Sequence, residues 1–261
     1  MRFVRYLRDG ITRYGMIEGL EIVELRGGLF ESKISFNGVR QPLAGTQLLP
    51  PIVPVTFYSG TSGGNYFTHR RSHESALQPA TPAEQHISYR ANSALAGHEA
   101  SVVIPPDSSG KVQFEGELVV VIGRTCRNIE PENAMAYVFG YTIGNDISER
   151  VWQKSDPTFW RSKNADTFKP MGPWIDTSAD IDKMTTCVRL NGREVSRFRT
   201  GEMVFDVPTT ISRISRYITL VPGDVIWMGT DDPTLDMYPG DIVEIEITGL
   251  GVLRNSIVAG V

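Results

Sequence analysis

Short apolar runs punctuated by Gly, Pro, Asn and Asp recur along the whole chain, which is the pattern of β-strands joined by turns. "RFVRYL", the turn at Arg8-Asp9-Gly10, "ITRYGMIEG" and "EIVEL" before Gly27-Gly28 predict a small antiparallel β domain over residues 1–50. The proline-dense "LLPPIVP" at 48–54 then leads into a main domain, residues 51–261. Leu118–Ile122 is an unbroken apolar run between Gly116 and Gly123, as in a strand buried on both faces. "VRLNGREV" predicts a hairpin, because Asn191-Gly192 suits the positive φ angles of a type I′ turn. "VPGDVIWMG" and "YPGDIVEIEI" each set a Pro-Gly-Asp turn ahead of a β run. Helical spacing occurs in "EPENAMAYVFG", read as one helix with Pro131 near its first turn, and in "PTTISRISRYI", with Ile211, Ile214 and Ile218. Residues 58–108 begin rich in Gly, Ser and Pro, carry His69, His73, His86 and His98, and read as more loop than element. The fold class is mainly β with few helices (α+β).

Composition narrows the function classes. Lys plus Arg number 26 against 30 for Asp plus Glu, a net charge of -4, which argues against a generic nucleic-acid or anionic-membrane partner. No apolar stretch approaches a membrane span, and "MRFVRYLRDG" breaks into charge too early for a signal peptide, so a cytoplasmic location is expected. Cys126 and Cys187 are too few for a disulfide framework or a thiolate metal site and read as buried free thiols.

The candidate chemistry lies in "QFEGEL". Strand side chains alternate, so Glu115 and Glu117 point to one face at the head of a core strand, where like charges repel unless a cation sits between them or one stays protonated. Asp146 in "GNDIS", at the end of another β run, is the natural third carboxylate. Three oxygen ligands suit a hard divalent cation, Mg2+ or Mn2+ first and Ca2+ third. On spacing alone, two glutamates flanking one residue at a strand edge are more often a solvated rim than a metal site. There is no dinucleotide fingerprint or P-loop, and "GTSGG" at 60–64 reads as a loop rather than an anion nest.

The segments "FEGELVVVIG", "FGYTIGNDISERVWQ", "KNADTFKPMGPWI" and "LVPGDVIWMGT", in this order, resemble the fumarylacetoacetate hydrolase family, including its acylpyruvate hydrolase and 2-hydroxyhepta-2,4-diene-1,7-dioate isomerase-like members. The resemblance covers the chain from about residue 52 onward. It implies that family's mixed β-sandwich roll behind a small N-terminal β domain, a homodimer, and one divalent metal held by Glu115, Glu117 and Asp146. It further implies that Lys163 faces substrate oxygen near the metal, that Arg150 and Gln153 bind substrate from a short helix, and that Thr230 contacts the substrate carboxylate. For Arg150 and Gln153 an exposed helix face is the alternative. Asp166-Thr167 is expected to support the lysine loop, and Tyr141 reads as core.

Two departures stand out. Where relatives carry N-Y-x-x-H-x-x-E, this chain has "NYFTHRRSHESA": Asn65, Tyr66 and His69 match, Ser72 replaces the glutamate, and His73-Glu74 follow. An acid/base pair of His69 or His73 with Glu74 is the expectation. "GTDDPTLD" replaces a glycine-rich loop, and its Asp231 and Asp232 would disfavour a second substrate carboxylate, unless they point to solvent. The site suits a small 2-oxo acid substrate. The expected reaction is carbon–carbon bond hydrolysis of a 3-acylpyruvate or related β-diketo acid through an enolate held at the metal. Oxaloacetate decarboxylation or a 2-hydroxy-dienoate isomerase/decarboxylase reaction is the alternative, and a non-catalytic metabolite-binding role is a third.

Overall fold

The computed structural model describes residues 1–60, 65–66, 84–231 and 234–261. Strands β1 (Arg2–Arg8), β2 (Ile11–Glu18), β3 (Glu21–Leu25) and β4 (Phe36–Pro42) form an antiparallel meander. The first turn works because Asp9 and Gly10 both take positive φ, 53° and 73°, with Arg8 paired to Ile11.

Strands of the larger part are β5 (Phe57–Gly60), β6 (Ile87–Tyr89), β7 (Val102–Ile104), β8 (Gly116–Ile122), β9 (Val138–Asn145) and β10 (Lys169–Asp176). After these come β11 (Thr185–Leu190), β12 (Arg193–Arg199), β13 (Val225–Trp227), β14 (Ile242–Ile247) and β15 (Gly251–Ala259). One sheet runs β4-β3-β2-β1-β10-β9-β8-β13-β5-β6, and a second runs β12-β11-β14-β15-β7. The N-terminal meander therefore extends the main sheet, with Phe3 of β1 opposite Ile175 of β10.

Strand β8 is buried along its whole length, and its alternation splits between two cores. Leu118, Val120 and Ile122 pack with Val188, Ile245 and Leu253 of the second sheet. Val119 and Val121 pack with Phe3, Met171, Ile175 and Trp227 on the other face. Both sides of β8 are thus dry, which is why its sequence is continuously apolar rather than alternating.

Among the described residues three α-helices carry the turns: α1 (Pro131–Ala134), α2 (Arg150–Gln153) and α3 (Val207–Tyr217). Helix α3 is the one predicted from its isoleucines, capped by Asp206, which accepts the Thr209 N–H at 2.8 Å. The expectation of one helix over "EPENAMAYVFG" fails. Only Pro131–Ala134 is α-helical, a 3-10 turn follows over Met135–Tyr137, and Val138 opens β9 opposite Ile122. Gly140 explains the switch: a Cβ there would lie 2.5 Å from the Asp176 carbonyl oxygen, so this residue serves close strand packing against β10. The Asn191-Gly192 hairpin forms as expected, with φ of 54° and 76°. Among the described residues no helix is long and apolar enough to cross a membrane.

Candidate metal centre and catalytic site

The head of β8 places the two glutamates. A Cβ on Gly116 would sit 2.9 Å from Val188 Cγ2 and 3.1 Å from Ile245 Cγ2, so that side of the strand is pressed against the second sheet. Glu115 and Glu117 project to the other side. Asp146 arrives from the end of β9, where Gly116 pairs with Asn145 and the Asp146 N–H donates to the Glu115 carbonyl at 2.9 Å. Asn145 closes the corner by accepting the Glu115 N–H on Oδ1 at 3.0 Å.

Glu115, Glu117 and Asp146 are all buried, and each offers an oxygen within 4.8 Å of the others. Two ligands about 2.1–2.6 Å from a common hard cation lie at most about 4–5 Å apart, so the trio fits around one Mg2+, Mn2+ or Ca2+. The all-oxygen donor set points to the same ions. The solvated-rim reading of these glutamates does not describe them, because both lie inside the protein.

Among the described residues four basic side chains surround the trio. Lys163 Nζ lies 2.6 Å from Glu115 Oε2 and 2.9 Å from Asp146 Oδ2. Arg150, from the start of α2, donates to Glu115 Oε1 at 2.7 Å, to Gln113 at 2.8 Å and to Gln153 at 3.0 Å. The one-turn spacing of Arg150 and Gln153 thus lets Gln153 brace the guanidinium that reaches Glu115, and the exposed-face alternative falls for Arg150. Arg90 grips Asp146 with two donors, Nε to Oδ1 at 3.2 Å and Nη2 to Oδ2 at 2.8 Å. Lys169 Nζ sits 2.6 Å from Asp146 Oδ1.

This uneven supply of cations separates three otherwise similar carboxylates. Burial alone would raise the Asp146 pKa, but Arg90, Lys163 and Lys169 hold it well below the usual range. Glu115 is also lowered, Lys163 and Arg150 outweighing burial. Glu117 accepts the Gly229 N–H at 2.8 Å, and among the described residues no basic side chain lies within ion-pair distance of it. Burial, then the charges of Asp146 and Glu115, push it up to about 8. Burial likewise pulls Lys169 down to about 7, against the attraction of Asp146.

Thr230 is buried next to Gly229, the donor to Glu117, and its hydroxyl bonds the Asp231 carbonyl at 3.3 Å. Asp231 is buried too, so it does not face open solvent. Asn65 is enclosed, donating to the carbonyls of Phe205 and Met228 and accepting the Phe205 N–H. Tyr66 donates to the Thr200 carbonyl at 2.8 Å. These two residues of the N-Y-x-x-H stretch are thereby anchored beside Met228-Gly229. His69, Ser72, His73, Glu74 and Asp232 lie outside the described residues. Thr167 ties its loop to β7 by accepting the Val103 N–H at 2.8 Å, and Tyr141 is core as read.

Arg90 and Lys169 escaped the sequence reading. Arg90 follows β6, inside a segment read as loop. Lys169 in "TFKPMGP" did leave a signal, a lone cation amid apolar strand residues, which is costly to bury without an acidic partner.

Comparison with known proteins follows the same lines. The family profile described as "Fumarylacetoacetate (FAA) hydrolase C-terminal" matches residues 60–258, and "Rv2993c-like, N-terminal" matches residues 1–51. The chain is 34% identical over 253 residues to the mitochondrial oxaloacetate tautomerase FAHD2A of Bos taurus, covering 88% of this chain and 78% of that one. Its structure superposes on 5-carboxymethyl-2-hydroxymuconate delta-isomerase from Mycobacterium smegmatis with a TM-score of 0.89, 31% identity and full coverage of both chains. Maleylpyruvate hydrolase from Sphingobium sp. SYK-6, in complex with manganese(II) ion and pyruvate, gives a TM-score of 0.79 at 27% identity, again covering all of both chains.

Proposed function

The chain belongs to the fumarylacetoacetate hydrolase family, and on that premise we propose that it is a divalent-metal-dependent enzyme that hydrolyses a carbon–carbon bond in a 3-acylpyruvate or related β-diketo acid. The observation that carries this reading is the buried Glu115, Glu117 and Asp146 trio with Lys163 and Arg150 against it. These three carboxylates would hold Mg2+ or Mn2+, with Ca2+ third, and the ion when bound supplies Lewis acidity toward the carboxylate and keto oxygens of a 2-oxo acid. Lys163 places an ammonium where negative charge grows on the substrate oxygen as the bond to C3 breaks. Arg150 and Gln153, already bonded to one another, orient the substrate's polar end, and Thr230 receives its carboxylate. His69, helped by Glu74, activates water for attack on the acyl carbonyl. The protein works on its small-molecule substrate as a homodimer in the cytoplasm.

A second reading, proton transfer or decarboxylation on the same enolate, is favoured by Ser72 standing where the glutamate of N-Y-x-x-H-x-x-E is expected, since neither reaction needs activated water. The names of the bovine tautomerase and the mycobacterial isomerase lean the same way.

Product identification tests both. Metal-stripped protein, with and without Mg2+ or Mn2+, is offered acylpyruvates, oxaloacetate and a 2-hydroxy-dienoate, and products are read by NMR. Metal-dependent pyruvate plus a carboxylic acid supports the hydrolase. Carbon dioxide or a rearranged isomer without hydrolysis moves the assignment to the second reading. His69→Ala should abolish hydrolysis while metal binding persists, and unchanged turnover would remove His69 from the mechanism.

A further inference from the structure

Asp146 is restrained from both sides of its carboxylate. Arg90 Nε and Lys169 Nζ contact Oδ1 at 3.2 and 2.6 Å, while Arg90 Nη2 and Lys163 Nζ contact Oδ2 at 2.8 and 2.9 Å. A carboxylate has about four lone-pair sites. All are therefore engaged, and one donor has to leave before Asp146 ligates anything.

The donors differ in how firmly the protein holds them. Arg90 is tied on its far side to Ser59 Oγ at 3.0 Å, Ser88 Oγ at 2.8 Å and the Tyr89 carbonyl at 3.1 Å. Lys169 is fully buried and also donates to the carbonyls of Ile147 at 2.9 Å and Phe168 at 2.8 Å. With Asp146 these acceptors match the three N–H groups of an ammonium. Lys163 instead spans Glu115 and Asp146, the space a shared cation would take. Its withdrawal opens one lone-pair site on Oδ2, the other still taken by Arg90 Nη2, and leaves Oδ1 pinned by Arg90 Nε and Lys169.

Resting on the metal-enzyme reading above, we propose that Arg90 and Lys169 are positioning residues that restrict Asp146 to one-oxygen ligation and so select Mg2+ or Mn2+ over Ca2+. Ca2+ takes six to eight oxygens and draws on bidentate carboxylates, whereas Mg2+ demands a tight octahedron of single oxygens and keeps several waters. Once Lys163 withdraws, Arg150 still holds Glu115 Oε1 at 2.7 Å, so Glu115 too is left with one unrestrained oxygen, and among the described residues Glu117 is the member of the trio with no basic side chain within ion-pair distance of either oxygen. A site with so few bidentate carboxylates serves the smaller ion better.

The test is the ratio of Ca2+ to Mn2+ dissociation constants, measured by calorimetry on the metal-free full chain, wild type, Lys169→Met and Arg90→Lys. Losing a positive charge strengthens binding of every divalent ion alike, so charge alone leaves the ratio unmoved. Wild type should prefer Mn2+ by about tenfold or more, and Lys169→Met should shrink that preference by about tenfold, the scale of outer-sphere effects on metal sites. Arg90→Lys, which keeps the charge and loses the two-pronged grip, should shrink it less, and it keeps the test open if Lys169→Met does not fold. One ratio common to all folded chains, or a wild-type preference for Ca2+, overturns the clamp. A wild type that binds neither ion overturns the underlying metal reading instead.

Discussion

Loading the metal-free protein with Mn2+ should expel a proton, and Glu117 should be its source. With its pKa pushed up to about 8, Glu117 is about nine-tenths protonated at pH 7, so ligation through both Glu117 and its neighbours releases about 0.9 proton per ion. The release falls to about half a proton at pH 8, and apparent affinity weakens about tenfold for each pH unit below 8. The same shift sets a sign for stability without metal. An acid whose pKa rises on folding, here from 4.5 to about 8, binds more protons folded than unfolded between those values. Its contribution to stability is therefore intact below pH 4.5 and lost as pH rises toward 8, by on the order of 5 kcal/mol in total. Calorimetry in two buffers of different ionisation enthalpy counts the protons, and Glu117→Gln supplies the reference that cannot release one. Equal proton counts for wild type and Glu117→Gln at pH 7 would refute the argument, as would parallel curves of melting temperature against pH.

Three further outcomes follow from the same geometry. Lys163→Met should lower kcat by about 100-fold or more while Mn2+ still binds, because it removes a donor to developing oxygen charge; calorimetry beside steady-state kinetics checks it. Asp146→Asn should abolish metal binding and destabilise the fold by about 3–5 kcal/mol, since Arg90 and Lys169 lose their buried counter-ion, and urea unfolding measures the cost. Gly116→Ala should cost about 1–3 kcal/mol by driving a methyl into Val188 and Ile245, and should weaken metal binding by shifting the two glutamates; a melt and a Mn2+ titration read both.

Much of this protein is written locally. Period-two alternation put Glu115 and Glu117 on one side of a strand, and an apolar run from Leu118 to Ile122 announced burial on both faces, because strand geometry depends on neighbours in the chain. The Asn191-Gly192 turn and helix α3 were legible for the same reason, each resting on residues a few positions apart. Asp146, far from the glutamates in sequence, was legible through family resemblance and a β-run end rather than through spacing.

Other features needed the tertiary fold. Val138–Gly140 left the expected helix because pairing with β8 and close contact with β10 outweighed a local helical pattern. Arg90, just after β6, and Lys169, at the start of β10, are far apart in the chain, and what makes them matter is their meeting on one buried carboxylate, a through-space relation that no periodicity encodes. The divergence of Glu115 and Glu117 has the same origin. Two identical residues, one position apart from a shared glycine, take opposite pKa shifts because Lys163 and Arg150 reach the first and a backbone amide reaches the second. Sequence determined which acids share a face; only the folded arrangement of distant cations decided which of them keeps its proton.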